Sequence, residues 1–74
     1  MTAAEEFLDF VATVLGRNRT ALSLETAYGT IPEWDSVMHL RLVMEIEGKY
    51  GVDIPMEKVP EIKTLGDFHA FVAS

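Results

Sequence analysis

The clearest helical pattern in this chain is the run Ser36-Val37-Met38-His39-Leu40-Arg41-Leu42-Val43-Met44-Glu45-Ile46-Glu47-Gly48-Lys49-Tyr50, which is followed by Gly51. At about 100° per residue, the apolar side chains of this run divide into two stripes. The stripe that we expect to face a core consists of Leu42, Val43, Ile46 and Tyr50. A second stripe, on another flank, consists of Val37, Leu40 and Met44. The run therefore predicts an amphipathic helix over residues 36–50, the second helix of the fold.

Two shorter patterns predict helices on either side of this one. Thr2 and Glu5 have the spacing of a capping box, and Gly16 is a typical helix stop, so helix one is expected between them. Its apolar positions recur at helical spacing and comprise Phe7, Phe10, Val11, Val14 and Leu15. Thr64 and Asp67 can cap a last helix, with Asp in place of the usual Glu. The inward face of that helix consists of Leu65, Phe68, Phe71 and Val72.

The segments between these helices complete the predicted fold. Pro55 and Pro60 confine residues 56–59 to about one helical turn, because proline disfavours helix in the residue before it. Residues 17–35 show no sustained period and predict a long loop between helices one and two. We expect five apolar side chains to tie that loop to the bundle: Leu22, Leu24, Tyr28, Ile31 and Trp34. The sequence thus predicts an all-α fold, a small four-helix bundle of three main helices and one short helix, in a single domain over residues 1–74.

Composition restricts the class of function. Twelve acidic side chains against six basic ones leave a formal net charge of -6. This charge argues against nucleic acid as a partner, since phosphate binding needs a basic face, and favours basic patches on other proteins. No apolar run approaches the roughly 18 residues that span a membrane, and the first residues are acidic where a signal peptide is basic. We therefore expect a cytoplasmic, soluble monomer with no membrane partner.

The chain offers little chemistry of its own. It has no cysteine, which excludes a disulfide scaffold or thiolate metal site, so any thiol must belong to an attached group. It lacks a paired acid and base and the spacing of a metal site, and it is too short for a catalytic cleft. His39 and His69 lie apart from any nucleophile. We therefore expect a protein that is not an enzyme.

The run from Asp35 to Glu47, with Tyr50-Gly51-Val52-Asp53-Ile54-Pro55 after it, resembles the acyl carrier protein family. The Asp-Ser-Leu motif of that family corresponds to Asp35-Ser36-Val37 here, and the likeness in length, helix order and acidity covers nearly the whole chain. The resemblance implies that Ser36 carries a covalent 4'-phosphopantetheine group, which a phosphopantetheinyl transferase takes from coenzyme A. It also implies that Asp35 helps the transferase and its magnesium receive the serine. Taken without the resemblance, Ser36 fits an ordinary helix N-cap.

A carrier of this kind holds acyl or aminoacyl intermediates as thioesters on its arm and delivers them to loading and processing enzymes. By the same resemblance, those partners would contact the outer side of helix two, through Val37, Leu40, Arg41, Met44, Glu45 and Glu47. The three apolar members of this set can instead pack under the loop over residues 17–35. The sequence leaves both arrangements open.

Helix two also departs from the carriers of fatty acid synthesis, in which this face is densely acidic. The departures are Met38, His39, Arg41, Gly48 and Lys49. Because charge at the rim of an interface suppresses wrong partners, our hypothesis is that the chain serves a specialised pathway rather than the general fatty-acid machinery. The alternative is that the surface charge has drifted and that Arg41 merely pairs with Glu45.

Two further alternatives remain. A peptidyl or aminoacyl carrier shares the same fold and arm, so the sequence does not separate it from an acyl carrier. A protein of another class, an unmodified helical interaction module, would dock through Val37, Leu40 and Met44 without any arm. Replacing Ser36 with Ala distinguishes that module from a carrier.

Overall fold

The computed structural model describes residues 2–73 and confirms a small, mainly helical bundle. Its α-helices are α1 (Ala3–Leu15), α2 (Ser36–Tyr50) and α3 (Leu65–Ala73). Two 3₁₀ helices, Arg19–Ala21 and Met56–Glu61, lie in the connections. Within the described residues, the only β-type pairing is an isolated antiparallel bridge between Ala27 and Thr64.

The ends of α1 and α2 follow the capping signals in the sequence. The hydroxyl of Thr2 accepts from the backbone N–H of Glu5 at 3.1 Å, and the Glu5 carboxylate accepts from the N–H of Thr2 at 3.1 Å. Helix α1 then ends at Gly16, where φ is 72°. Gly51, with φ of 65°, ends α2 in the same left-handed conformation, which glycine adopts without steric cost.

The start of α3 confirms the predicted cap. The hydroxyl of Thr64 accepts from the backbone N–H of Asp67 at 3.1 Å. In return, the Asp67 carboxylate accepts from the backbone N–H groups of Thr64 and Lys63, at 3.1 and 2.8 Å. Asp67 therefore occupies the position, and makes the backbone hydrogen bond, of the usual glutamate in a capping box.

The short fourth helix is longer than predicted, because Met56–Glu61 continues through Pro60. We expected Pro60 to end it. The helix consists of two tight turns, closed by Lys58 N–H to Pro55 carbonyl at 2.9 Å and Ile62 N–H to Val59 carbonyl at 3.2 Å. Pro60 follows Val59 at the start of the second turn, where its fixed φ fits and its missing N–H is not needed.

The core is formed by the inward faces of all three α-helices together with side chains of the connecting segments, which are Leu22, Trp34, Ile54, Val59 and Ile62. Its largest fully buried side chains are Trp34, Phe7, Phe68, Leu42, Ile46, Leu65 and Val11. The core stripe predicted for α2 is confirmed: Leu42, Val43 and Ile46 are buried, and Tyr50 packs against them while partly exposed. Burial of these side chains supplies the main driving force for folding.

The long loop is fastened to the beginning of α3 by backbone hydrogen bonds. Carbonyl groups of the loop accept from α3, with Leu65 N–H to Thr26 carbonyl at 3.0 Å and Gly66 N–H to Leu24 carbonyl at 2.7 Å. In the other direction, Tyr28 N–H donates to the Lys63 carbonyl at 2.7 Å. Of the expected anchors, Leu22 and Trp34 are buried, Leu24 and Ile31 are partly buried, and Tyr28 is exposed over 44% of its surface. The loop therefore ends on a buried tryptophan just before α2 begins.

Candidate functional site

Ser36 occupies the first position of α2, directly after the fastened loop. The N-cap of the helix is Asp35 and not Ser36, because a carboxylate oxygen of Asp35 accepts from the backbone N–H of Met38 at 2.9 Å. Ser36 is exposed, and among the residues that the structure describes its hydroxyl has no hydrogen-bond partner. The Ser36 hydroxyl is therefore free for chemistry.

The surroundings of Ser36 suit a phosphate ester. The backbone N–H groups of Ser36 and Val37 belong to the first turn of α2, and within residues 2–73 neither finds an acceptor. Free N–H groups and the positive end of the helix dipole favour an anion at this position. A phosphodiester on the Ser36 oxygen would thus meet unpaired donors, and a 4'-phosphopantetheine group fits the residues present.

An open cleft of about 400 Å³ lies beside Ser36, between α2 and the Met56–Glu61 segment. It is lined by Tyr28, Ser36, His39, Leu40, Val59, Pro60, Ile62 and Lys63. Most of these side chains are apolar, and the loop, α2 and the second 3₁₀ helix all contribute. Sequence reasoning missed this cleft, because its walls come from segments with no common periodicity.

His39 is the buried polar residue of the site, with 8% of its surface exposed. Its Nδ1 lies 3.0 Å from the indole Nε1 of Trp34, and its Nε2 lies 2.9 Å from the carbonyl oxygen of Val59. The sequence marked His39 only as a residue without catalytic neighbours. Trp34, in contrast, was expected to anchor the loop, and its exposure of 1% confirms this prediction.

The second apolar stripe of α2 is exposed. Val37, Leu40 and Met44 expose 77%, 52% and 71% of their surfaces. We call these three residues the α2 patch. The alternative in which the loop covers them is wrong, because the backbone hydrogen bonds of the loop hold it against α3 instead. The α2 patch is thus available to a partner.

The charged residues expected on the partner surface differ in their surroundings. Arg41 and Glu45 form an i, i+4 ion pair at 3.6 Å, and both side chains are well exposed. Glu47 is only partly exposed, and its carboxylate accepts from the backbone N–H of Ile54 at 2.9 Å. The Glu47 carboxylate therefore has a structural partner, which the sequence did not indicate.

Two negative findings apply to residues 2–73. No helix in this range is long and apolar enough to cross a membrane. The same residues contain no group of three or more His, Cys, Asp or Glu side chains able to hold a metal ion.

Comparisons with known proteins agree with this site. A family model described as "Phosphopantetheine attachment site" matches residues 5–72. The acyl carrier protein of Arthrobacter sp. (strain FB24) is 32% identical over 78 aligned residues, which cover 100% of this chain and 96% of the relative. That of Tropheryma whipplei (strain Twist) is 31% identical over 72 residues, covering 92% and 88%. That of Rickettsia canadensis (strain McKiel) is 26% identical over 68 residues, covering 92% and 79%.

The fold, the site and these matches define a domain that bears a phosphopantetheine group. The chain belongs to the acyl carrier protein family. It is therefore a carrier and not an enzyme, its cofactor is a covalently attached 4'-phosphopantetheine, and it works with transferases and acyl-processing enzymes.

Proposed function

We propose that Ser36 is the residue that carries the 4'-phosphopantetheine arm. The observation that carries this proposal is the exposed Ser36 hydroxyl, unpaired among the described residues, at the first turn of α2 and directly after Asp35. Ser23 offers a contrast, because its hydroxyl already accepts from the backbone N–H of Glu25 at 3.2 Å. Ser23 also lies in the loop, away from any α-helix start.

The chain's own residues receive and hold the arm. The Ser36 oxygen bonds to the phosphorus on the pantetheine side of coenzyme A, the P–O bond to the nucleotide half breaks, adenosine 3',5'-bisphosphate leaves, and a base of the transferase takes the hydroxyl proton. The first-turn N–H groups of Ser36 and Val37, which have no acceptor within residues 2–73, would hold the phosphodiester anion. When bound, the arm supplies a thiol that carries the cargo as a thioester.

Asp35 has two separate tasks in this proposal. One carboxylate oxygen caps α2, which fixes Ser36 at the first helical position. The negative charge next to the serine serves the transferase and its magnesium, as the family resemblance implies. Asp35 is exposed, so a docked enzyme can reach the carboxylate without any unfolding.

We further propose that partner enzymes dock on the α2 patch and on the neighbouring Arg41–Glu45 pair. An exposed cluster of large apolar side chains on a monomer commonly marks an interaction site. The mixed charge of this face supports a partner set other than that of a densely acidic carrier. Glu47 belongs to this surface only as a prediction, since its carboxylate is already bonded to Ile54.

The proposal also covers the pathway that the chain serves, the group that it carries, its location in the cell and its oligomeric state. The chain is proposed to serve a specialised acyl or aminoacyl pathway, as a cytoplasmic monomer whose single carrier domain spans residues 1–74. Binding to a general ketosynthase tests the pathway. Weak binding that improves when Arg41 and Lys49 are replaced by Glu is expected, because these substitutions restore acidity on α2. Tight, salt-sensitive binding of the unaltered chain, with no gain in the variants, would contradict the specialised pathway.

Attachment is tested by intact-mass measurement after incubation with coenzyme A, magnesium and a promiscuous phosphopantetheinyl transferase. We expect a gain of one phosphopantetheine and one new thiol in the unaltered chain and in Ser23→Ala, but not in Ser36→Ala. Since the chain has no cysteine, thiol titration reports the arm alone. No gain with several transferases would favour the unmodified module that docks through the α2 patch.

A further inference from the structure

The two ring nitrogens of His39 are both used, and their roles are fixed by their partners. The indole N–H of Trp34 can only donate, so Nδ1 of His39 must be the acceptor at 3.0 Å. The proton of the neutral ring therefore resides on Nε2, which donates to the carbonyl of Val59 at 2.9 Å. We call these two hydrogen bonds the His39 latch.

The His39 latch joins three segments of the chain across the cleft beside Ser36. Trp34 ends the loop, His39 lies in α2, and Val59 lies in the 3₁₀ helix Met56–Glu61. The cleft opens between the last two of these elements, and both His39 and Val59 line it. Any widening of the cleft that separates α2 from the 3₁₀ helix must break the bond between His39 and Val59.

The ring of His39 also lies between the cleft and the buried rings of Trp34 and Phe68. On its inner side it stacks on Trp34, with centroids 5.9 Å apart and an angle of 19°, and it contacts Phe68 at 5.3 Å. Trp34 and Phe68 are 1% and 0% exposed, and neither lines the cleft. Turning the ring aside would leave the buried indole N–H of Trp34 without a partner, which is unfavourable, whereas the Val59 carbonyl would keep its bond from the Ile62 N–H.

We propose that His39 is a specificity-determining residue that confines the cargo to the outer cleft and keeps it out of the core. This inference rests on the proposed function, because it requires an arm at Ser36. A volume of about 400 Å³ lies near the lower end of ligand cavities. Because the ring of His39 lies at the inner wall of this open cleft, a long alkyl chain cannot extend inward past it, and the end of such a chain stays in solvent or passes to a partner.

The test compares cargoes of increasing length on the same protein. Acetyl-, hexanoyl- and dodecanoyl-coenzyme A are used with a promiscuous transferase, and mass measurement confirms each product. The readout is the melting temperature of each acylated form minus that of the same variant with a free arm thiol. This reference cancels the effect of a substitution on the stability of the bundle itself.

In the unaltered chain we expect the dodecanoyl form to melt no higher than the hexanoyl form. In His39→Ala, which removes the latch, we expect the dodecanoyl form to melt higher by about 5 °C or more, because additional methylene groups become buried. His69→Ala is the matched control, since it is the same substitution at a ring that contacts Phe7, does not line the cleft and leaves the His39 latch intact. It should behave like the unaltered chain.

Nitrogen NMR of the His39 ring gives a second measurement that does not depend on any variant. We expect the signals of a neutral ring with a protonated Nε2 to stay unchanged from the free-thiol form to the dodecanoyl form. If the dodecanoyl form of the unaltered chain melts well above the hexanoyl form, or loses these ring signals, the proposed role of His39 is wrong. The proposal that Ser36 carries the arm would still stand. If no arm can be attached at Ser36, the proposed function is wrong, and the proposed role of His39 toward the cargo is wrong as well.

Discussion

The carboxylate of Glu47 accepts a hydrogen bond from the backbone N–H of Ile54 at 2.9 Å, although the two residues lie on either side of the end of α2. This bond holds the turn after Gly51 against the helix. Glu47→Ala is expected to lower the free energy of unfolding by about 1–2 kcal/mol, because a partly buried N–H loses a charged acceptor. Urea denaturation measures the change.

Glu45→Ala is the control for that variant. Among residues 2–73, Glu45 pairs only with the exposed Arg41, so its loss should change stability by less than about 0.5 kcal/mol. A Glu47→Ala protein as stable as the parent, but weakened in binding to a partner enzyme, would instead assign the Glu47 carboxylate to the docking surface.

Trp34→Phe removes the donor to Nδ1 of His39. We expect a loss of about 1–3 kcal/mol, since a buried acceptor is left unsatisfied in a tightly packed site. Urea denaturation followed by circular dichroism measures it without relying on tryptophan emission. Tyr28→Phe, which keeps the ring that lies edge-on to Trp34, should stay within about 0.5 kcal/mol. Equal losses in both variants would refute the importance of the indole N–H.

Asp35→Asn separates the cap from the charge. Asparagine caps helices about as well as aspartate, so stability should be preserved, whereas Asp35→Ala should cost about 1 kcal/mol. If the charge serves the transferase, both variants gain the arm more slowly than the parent in a mass-spectrometric time course. If Asp35→Asn gains the arm as fast as the parent, the carboxylate acts only as a helix cap.

Two glycines offer opposite predictions for the same substitution. A Cβ at Gly48, inside α2, would meet nothing within 4 Å, so Gly48→Ala should stabilise the chain by about 0.5–1 kcal/mol. A Cβ at Gly66 would lie 2.9 Å from the carbonyl oxygen of Leu24, so Gly66→Ala should destabilise it by pushing the loop off α3. Thermal melts compare the two. If Gly66→Ala melts at a higher temperature than the parent, the loop at Leu24 moves away from the new Cβ at little energetic cost.

The capping box of α1 predicts a response to acid. The carboxylate of Glu5 accepts from the backbone N–H of Thr2 and interacts with its side chain, which lowers the pKa of Glu5 below its ordinary value of 4.5. A lowered pKa in the folded state adds stability above the ordinary value, and this stability is lost as the pH falls. Glu5→Gln should therefore be less stable than the parent near neutral pH and approach it below about pH 4. Urea midpoints of both proteins, measured from neutral pH to below about pH 4, give the difference in stability. A difference that does not change with pH would contradict the role of the Glu5 carboxylate charge.

The helix limits could be predicted because their signals are local. Thr2, Gly16, Gly51 and Asp67 each cap a helix through groups a few residues away, and a sequence displays such spacings directly. The exposure of the α2 patch could not be predicted in this way. It depends on where the loop is fastened, and that is decided by backbone hydrogen bonds between segments far apart in the chain.

The site was predictable to a similar degree. The Asp35-Ser36 pair stood out because a family motif is contiguous. The role of His39 did not, since its partners lie 5 and 20 residues away and belong to no helical period. Pro60 was misjudged for a related reason, because a proline stops an α-helix but can begin a tight 3₁₀ turn.

Asp35 fixes the start of α2 and Gly51 fixes its end. The number of residues between these two caps is therefore constrained, apart from the identity of the residues. A substitution in α2 alters one side chain and leaves its neighbours in register. One inserted residue would rotate everything after it by about 100°. An insertion after Leu40 would turn Met44 away from the α2 patch and Ile46 away from the core at the same time. Sequence variants of this carrier can thus differ at the exposed positions of α2, but the residue count from Ser36 to Glu47 should stay constant.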